Sequence, residues 1–438
     1  LGQTLKVDFP AAVTGSMVHF TSSGPYILGV EIPAGTYDFS TYQRWDIEEV
    51  ILLDRSLTSG EAENLIAEIG KQRDRLTEPD FGTNWTNAFR NRPEIRSMPS
   101  FDFTGVTNMS SAFQNSSAEE WLSVGFLDTA VDVTDFGSSF EGNEIISIPQ
   151  GLFDNTVNAI SFRRAFLGNK IDVIPDNLFD STPDATDFSY SFYGNQITSI
   201  PTVLFNYTSG VTRFNKAFSY NSIGSSPAGL FDNTPNVTTF ASAFENNNLT
   251  SIPAGLFDYT PNVTDFRLTF IANSIGSIPA GLFDNTPNVN NFERTFTGNS
   301  LTSIPAGLFD NTPNVTTFRL TFTGNSLTFI PTGLFDYTQN VTNFYRAFEG
   351  NLIESVPANL LDTQTVAINY DRCFQNNALD ATSVDNILVS IQYSADQNNL
   401  DNGILGIEGG TNATPTQTGK DAADALRARG WTVNLNGY

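Results

Sequence analysis

Residues Ser303–Asn325 read SIPAGLFDNTPNVTTFRLTFTGN, and close copies of this stretch fill most of the chain. Nine prolines within these copies follow one another at intervals of 26 residues. They are Pro149, Pro175, Pro201, Pro227, Pro253, Pro279, Pro305, Pro331 and Pro357. A fixed period in this range is typical of solenoids, in which each unit buries its apolar side only against its neighbours. The sequence therefore predicts one long repeat array.

Each repeat contains a pair of aromatic residues in the pattern F-x-x-x-F. Ten pairs keep the period, from Phe136 and Phe140 to the pair that begins at Tyr370, and two irregular pairs precede them at Trp85 and Met109. The array thus has about twelve coils, which at the spacing of stacked strands make a rod roughly 60 Å long.

The middle x of the pattern is often a cation, as at Arg164, Lys216 and Arg294. On a strand this residue would face inward with both rings, and a buried row of cations is very costly. On a helix, the Val three residues before the first Phe would join both rings on one face. We therefore predict that F-x-x-x-F is a helical turn.

The strand of each repeat should then lie in the other half, in segments such as Asn299–Pro305, and end near the proline because proline lacks the ladder donor. An asparagine begins this segment in every regular copy and suits a stacked ladder of side-chain hydrogen bonds that satisfies turn backbone. The ladder residues are Asn169, Asn195, Asn221, Asn247, Asn273, Asn299, Asn325 and Asn351.

The pattern Val-Thr-x-Phe-x-x-x-Phe-x-Gly-Asn-x-Leu-Thr-Ser-Ile-Pro resembles the BspA-like leucine-rich repeat, the 26-residue repeat of bacterial surface proteins. The segment Phe101–Asn115 resembles the versions found in phage tail-fibre proteins. The family usually has Cys at the ladder position, where this chain has Asn. The resemblance implies a surface protein of adhesion and recognition rather than an enzyme, and it transfers no binding residues.

The expected fold class is an α/β solenoid, a right-handed leucine-rich-repeat-like stack of about twelve 26-residue coils, each a short strand plus a helical turn, with terminal caps. We expect three regions: a β-rich module at 1–75 that ends in a helix, the solenoid at 81–380, and an α/β cap at 381–438.

The first region shows short β segments at Leu5–Phe9, Ser16–Phe20 and Tyr26–Ile32. A helix is predicted from Thr58 to Gly70. Thr58 and Glu61 form a capping-box pattern at its start. The stretch at residues 47–61 resembles the final strand and helix of concanavalin-like, laminin-G-type lectin domains. We interpret the region as a reduced β module that caps the solenoid.

The last region predicts two helices and two strands. Ser383–Ile391 has apolar residues at helical spacing, and Asp421–Arg429 is followed by Gly430 at the position that closes a helix. Short strands are expected at Gly403–Ile407 and Trp431–Leu435.

The composition excludes several classes of function. Lys and Arg number 22 against 47 Asp and Glu, a net charge of −25, which argues against binding to nucleic acid or to anionic membrane surfaces. The single Cys373 and single His19 exclude an internal disulfide and a Cys/His zinc site. Triad catalysis would depend on His19 alone, which lies in an apolar strand-like run where a structural role is expected. We predict no cofactor, and no apolar run is long enough for membrane insertion.

The candidate binding site is a stripe of cations in the F-x-x-x-F windows, which stacking would align on one face of an acidic rod. Its residues are Arg163, Arg164, Lys216, Arg267, Arg294, Arg319, Arg346 and Arg372, with Tyr345 as a stacking partner. They could grip acidic glycans on a cell surface. The alternative is a solvated face whose cations relieve the charge of neighbouring acids.

An aspartate also recurs after each Gly-Leu-Phe, and two interpretations of this column remain open. It could bind calcium between coils through carboxylate and carbonyl oxygens, or it could cap the following turn. Its members are Asp154, Asp180, Asp232, Asp258, Asp284, Asp310, Asp336 and Asp362.

The near-verbatim copies between Pro227 and Pro331 suggest recent duplication, which suits a protein that reaches for a variable partner. We hypothesise a non-enzymatic recognition rod, a phage tail-fibre or receptor-binding segment that contacts a glycan or protein receptor on a bacterial cell. The alternatives are a bacterial surface or secreted adhesin, and a structural spacer or self-assembling filament subunit. All are extracellular. Because the chain begins with Leu1, we expect it to derive from a longer one.

Overall fold

The computed structural model describes residues 82–92, 101–116 and 122–438, together with the backbone of five strands between Lys6 and Leu53. The chain divides into two compact units. The first comprises Leu1–Phe81 and Pro93–Phe101, and the second comprises Gly82–Arg92 and Asp102–Tyr438.

The first unit contains two antiparallel sheets. Strands β1 (Lys6–Phe9) and β4 (Gly35–Asp38) form one pair. In the other sheet, β2 (Val13–Thr21) lies between β3 (Gly24–Ile32) and β5 (Val50–Leu53).

The three β segments predicted near the amino terminus are thus confirmed as strands. On β2, His19 pairs with Tyr26 of β3 and with Val50 of β5. The helix predicted from Thr58 to Gly70 lies outside the described residues, and so does most of the segment that resembles a lectin domain.

The second unit is a solenoid whose coils pair in parallel through the residue just before each first aromatic residue. The paired positions form one continuous ladder of twelve: Asn84, Asn108, Asp135, Ser161, Asp187, Arg213, Thr239, Asp265, Asn291, Thr317, Asn343 and Asn369. The handedness of the coiling stays a prediction.

The core consists of three columns of stacked phenylalanine rings that run through the coils. In adjacent coils, Phe266 and Phe292 stack at 5.9 Å between ring centroids, and Phe257 and Phe283 stack at 6.3 Å. Rings of different columns meet at an angle, as Phe257 and Phe266 do at 4.7 Å. These rings are fully buried, so their removal from water is a main source of the stability of the array.

The prediction that F-x-x-x-F is a helical turn is wrong. Within the window that begins at Phe266, only the amide of Thr269 bonds inside the window, to the Phe266 carbonyl. The amides of Phe266, Leu268 and Phe270 instead donate to carbonyls of the next coil. The middle residue, Leu268, has a left-handed backbone with φ of 60°. This conformation turns both rings inward while the middle side chain stays outside the core. The backbone of the window is therefore neither a regular strand nor a helix.

The opposite half of each coil, where a strand was predicted, carries two backbone hydrogen bonds to the preceding coil. Ser274 donates to Leu249 at 2.9 Å, and Gly276 donates to Thr250 at 3.2 Å. The pairing is therefore present but short. Within the described residues it reaches a true parallel bridge at Ser147 with Val173, at Phe329 with Ser355 and at Asn377 with Gly410.

Each ladder asparagine connects its own coil to the one before it. The Nδ2 of Asn195 donates to the carbonyls of Phe166 and Phe192, and its Oδ1 accepts from the backbone amide of Ile171. The other seven asparagines of the set make the corresponding bonds. One side chain thus satisfies backbone groups that the turn would otherwise leave buried without partners.

The carboxy-terminal segment continues the ladder. Strand β6 (Asn369–Tyr370) pairs in parallel with β7 (Ile404–Gly406), which pairs with β8 (Thr432–Asn434). Asn412 reproduces the ladder bonds, because its Oδ1 accepts from Leu379 at 2.9 Å and its Nδ2 donates to Phe374 at 3.0 Å.

Two helices complete this segment, and both were predicted. Helix α1 (Ala381–Asn398) begins at Asp380, whose side chain accepts from the Ser383 amide at 2.7 Å. Helix α2 (Gln417–Ala428) is followed by Gly430 with φ of 82°. Among the described residues, no helix combines the length and the apolar character that a bilayer crossing needs.

Candidate functional site

The F-x-x-x-F windows build a surface as well as a core. Because the middle residue is left-handed, it projects to solvent together with its predecessor, as Arg163 and Arg164 do, while Phe162, Ala165 and Phe166 are buried. The left-handed middle residue recurs in the other windows, so equivalent residues of successive coils form columns on one face. Short side chains of these columns, such as Ala241 and Ser242, are buried.

Part of this face is a shallow groove of about 500 Å³. Four cations line it, Arg163, Arg213, Lys216 and Arg267, with one carboxylate, Asp187. The remaining lining residues are Ser189, Tyr190, Asn215, Ala241, Ser242 and Leu268. The groove is therefore cationic, although the chain as a whole carries a charge of −25.

Two of the four groove cations have a carboxylate only near the limit of ion-pair distance. Arg213 lies 3.7 Å from Asp187, and Lys216 lies 3.9 Å from Glu245. Arg163 has no carboxylate within 4 Å among the described residues. Because exposed pairs at such distances contribute little to stability, these cations remain available to a ligand.

Arg267 has a closer partner, Asp265, at 3.2 Å. Burial raises the pKa of Asp265, and the amide and guanidinium of Arg267 only partly offset that effect. Asp265 also accepts a hydrogen bond from the Arg267 amide at 2.9 Å, which holds the carboxylate at the edge of the groove.

A cluster of tyrosines lies beside the groove cations. The Tyr190 ring has Arg164 at 5.9 Å on its face and Lys216 at 5.7 Å. Tyr193 is 5.7 Å from Tyr190 and 5.1 Å from Tyr220. The negative charge of Glu245 is the main cause that raises the pKa of Tyr220. These cation–π contacts hold the long Lys216 side chain in place.

The structure does not bring the other predicted cations into the groove. Arg319 forms an ion pair and hydrogen bond with Glu293, and Arg294 lies 4.0 Å from the same carboxylate. Arg346 lies 3.2 Å from Glu349. These three, with Arg372, lie in coils beyond the groove, and we call them the distal cations. The ion pairs of Arg294, Arg319 and Arg346 fit the alternative in which cations relieve the charge of neighbouring acids.

Tyr345, predicted as a stacking partner, has its ring between two guanidinium groups. Arg319 lies 5.3 Å and Arg346 lies 5.1 Å from its centroid. Its cation–π partners in this structure are therefore groups of the chain itself.

Of the groove residues, only Arg163, Lys216 and Arg267 were predicted from the sequence, and the missed residues include the cation Arg213 and the aromatic residue Tyr190. Arg213 lies one residue before Phe214, in the column that pairs coils, and so outside the F-x-x-x-F pattern. Tyr190 occupies the middle position of its pattern, where other coils have a cation such as Arg164 or Lys216. Both could have been found by including every residue from the paired position to the second aromatic residue.

The aspartate column gains no support as a calcium site. No group of three or more His, Cys, Asp or Glu in the described part of the chain could hold a metal ion. Desolvation, and then the charge of Asp336 and Asp284, raises the pKa of Asp310, as expected for a crowded column of like charges. Some members accept hydrogen bonds across coils, as Asp258 does from Asn285 at 3.3 Å.

A family model described as the BspA type leucine rich repeat region matches residues 138–264 and 250–399, in six copies. These matches together cover more than half of the chain. No curated protein matches the chain by sequence.

Among solved structures, a chain of the Toll–Spatzle complex of Drosophila is 22% identical with a TM-score of 0.43, over 64% of this chain and 37% of that one. A chain of the plant peptide hormone receptor RGFR1 in complex with RGF2 is 15% identical with a TM-score of 0.43, over 78% of this chain and 53% of that one. The chain therefore spans about a third to a half of the length of these structures.

Proposed function

The chain belongs to the BspA-type leucine-rich-repeat family, and on that premise we propose that it is a non-enzymatic recognition and adhesion rod. Leucine-rich-repeat proteins commonly mediate recognition. The stacked coils provide a long, stiff face on which side chains of successive repeats present one continuous binding surface.

The cationic groove is the observation that carries this proposal. Four cations converge on one shallow depression of an otherwise acidic chain. Charge of one sign in a groove attracts ligands of the opposite sign and speeds their encounter, whereas the surrounding acids repel anions elsewhere on the surface. The chemistry available in the groove is electrostatic and hydrogen-bonded binding of an anionic partner.

The proposed setting is extracellular, in a phage tail fibre or receptor-binding segment that contacts a bacterial cell surface. The resemblance of Phe101–Asn115 to tail-fibre repeats favours this setting. A bacterial surface or secreted adhesin would use the same groove on another cell. The partner in either case is a surface glycan or protein, with no nucleic acid and no membrane insertion.

Binding of the purified chain to whole bacteria, at low and at high salt, tests this proposal. The groove variant replaces Arg163, Arg213, Lys216 and Arg267 with Ser. The control variant replaces the distal cations Arg294, Arg319, Arg346 and Arg372 with Ser, and so changes the net charge equally. We expect salt-sensitive binding that the groove variant loses and the control variant keeps, because screening weakens contacts between exposed charges.

The second candidate, a spacer or filament subunit, rests on the parallel ladder. Among the described residues, strand β8 lies at the edge of its sheet, and a strand edge can template association with another chain. Fibres of the purified chain in electron micrographs, with no binding to cells by either variant or by the unaltered chain, would replace the recognition proposal with this one.

A further inference from the structure

We propose that the groove binds a linear acidic glycan that lies along the stack of coils and carries one anionic group on every second sugar. This inference rests on the proposed recognition function and specifies its ligand.

The groove cations lie on alternate coils. Arg163 belongs to the coil of Phe162, Arg213 and Lys216 belong to the coil of Phe214, and Arg267 belongs to the coil of Phe266. Parallel-paired coils repeat at about the spacing of neighbouring strands, so the cationic rows are roughly 10 Å apart.

The coils between these rows contribute small and uncharged residues to the floor of the groove. Ser189 comes from the coil of Phe188, and Ala241 and Ser242 come from the coil of Phe240. An extended glycan advances by about the rise of one coil with each pyranose ring. A glycan laid along the groove would therefore place alternate sugars over cations and the sugars between them over this floor.

Two acids near the groove lie on those same intermediate coils, whereas Asp265, on the coil of Phe266, is occupied by its ion pair with Arg267 at 3.2 Å. Asp187 precedes Phe188, and Glu245 follows Phe244. An anionic group on an intermediate sugar would thus meet a carboxylate, and like charges in contact are a strong means of rejecting the wrong partner. The pattern selects for a polymer whose charges alternate and against one charged on every unit.

Tyr190 supplies an apolar wall on the first intermediate coil. Its ring is half-buried and held between Arg164 and Lys216, so little side-chain freedom is lost when a ligand binds. The wall and the small floor residues leave room for a pyranose ring between two cationic rows.

Isothermal titration of the whole chain with four oligomers of equal length tests the proposal. Hyaluronan and heparosan carry a carboxylate on every second sugar, oligogalacturonate carries one on every sugar, and oligodeoxythymidylate carries a phosphate on every nucleotide. We expect the two alternating glycans to bind at least about tenfold more tightly than the other two polymers, given the cost of like-charge contacts. The groove variant should lose this binding, and the control variant should keep it.

The variant Asp187→Ser tests whether this carboxylate rejects polymers that carry a charge on every unit. Removal of this carboxylate should raise the affinity for oligogalacturonate more than the affinity for hyaluronan. Equal or tighter binding of oligogalacturonate or oligodeoxythymidylate by the unaltered chain would overturn the proposal.

Failure of the ligand assignment can be told from failure of the recognition function. If the groove variant loses binding to bacteria but none of the four polymers binds, the ligand assignment is wrong and the recognition function stands. If the groove variant still binds bacteria as the unaltered chain does, recognition uses another surface, and the assignments of the groove and of its ligand both fail. If the unaltered chain binds no bacteria, the recognition function itself fails.

Discussion

The side-chain Oδ1 of Asn273 lies 3.0 Å from the backbone nitrogen of Leu249, one coil earlier, and accepts its hydrogen bond. The Nδ2 of the same side chain donates to the carbonyls of Phe244 and Phe270 at 2.9 and 3.2 Å. One amide group therefore joins two coils at the point where each coil leaves its F-x-x-x-F pattern, and this amide is almost entirely buried.

Replacement of Asn273 with Ala should destabilise the solenoid by about 1–3 kcal/mol, because it leaves the buried Leu249 amide without a partner. The Phe244 and Phe270 carbonyls would each lose one of two bonds and keep the bond from Asn247 or Asn299. The shift of the urea unfolding midpoint measures this effect. Asn262→Ala is the matched control, since Asn262 is exposed and makes one bond, to the Pro235 carbonyl at 3.0 Å. Equal losses of unfolding free energy from the two substitutions would contradict the claim that a buried ladder bond contributes more to stability than an exposed one.

The period alone was enough to predict the ladder position, because an asparagine that recurs at one place in every coil must stack on its equivalents. The period could not predict the window conformation. The positive φ at Arg164 or Leu268 is adopted by a non-glycine residue, and the cost of that backbone is offset only by hydrogen bonds to the next coil. No local pattern in the sequence marks such a residue.

A glycine with positive φ gives a second prediction. Gly281 has φ of 72°, and a Cβ there would lie 3.0 Å from the Asp284 carboxylate. Gly281→Ala should therefore destabilise the protein by about 1–2 kcal/mol, the cost of a left-handed backbone for a residue with a Cβ.

Gly276, five residues earlier in the chain, is the matched control for this substitution. A Cβ at Gly276 would have no heavy atom within 4 Å, and its φ is not positive. Gly276→Ala should be neutral or stabilising by up to about 1 kcal/mol, because alanine restricts the unfolded chain. Thermal unfolding of the two variants compares them, and a loss at Gly276 as large as that at Gly281 would contradict the explanation.

The junction with the carboxy-terminal strands contains a buried hydroxyl that the described residues leave without a hydrogen-bond partner. Tyr370 is fully buried, its ring stacks on Phe344 at 5.2 Å, and it lies 6.2 Å from Trp431. Burial raises the pKa of this tyrosine well above its ordinary value. The hydroxyl thus loses its bonds to water on folding and gains none.

Tyr370→Phe should therefore stabilise the protein by about 1 kcal/mol or more, since phenylalanine keeps the stacking and removes the unpaired hydroxyl. Phe already occupies the equivalent position in the preceding coil, at Phe344. Denaturant unfolding measures the change. A loss of stability would mean that the hydroxyl has a partner in solution, such as an ordered water.

The candidate site was predictable as a face but not as a groove. Stacking at a fixed period places Arg163, Lys216, Arg267 and Arg319 on one side, which the sequence indicates. Whether a cation is free depends on which acid of an adjacent coil lies within reach, and Arg319 finds Glu293 whereas Arg163 finds none among the described residues. Such pairing between coils is set by side-chain direction, which repeat alignment does not contain.

The free energy of unfolding of the protein should depend on pH through Asp265, which lies at the edge of the groove. Burial raises the pKa of this carboxyl above its unfolded value, so the folded protein binds more protons in the pH range above that unfolded value. Its contribution to stability is therefore most favourable below the unfolded pKa, near 3.8, and declines as pH rises through the folded pKa. Asp265→Asn should remove this decline and make the protein more stable at pH 7 but not at pH 3.

The substitution leaves the local geometry intact, because Asn already occupies the equivalent position in the next coil. There the Oδ1 of Asn291 accepts from the Glu293 amide at 2.8 Å, as Asp265 accepts from Arg267. The lost ion pair with the half-exposed Arg267 is worth little. Urea unfolding at several pH values compares the variants. The reverse substitution, Asn291→Asp, should introduce the same decline of stability with rising pH. A gain at pH 3 equal to that at pH 7 would show that the charge of Asp265 is not the cause.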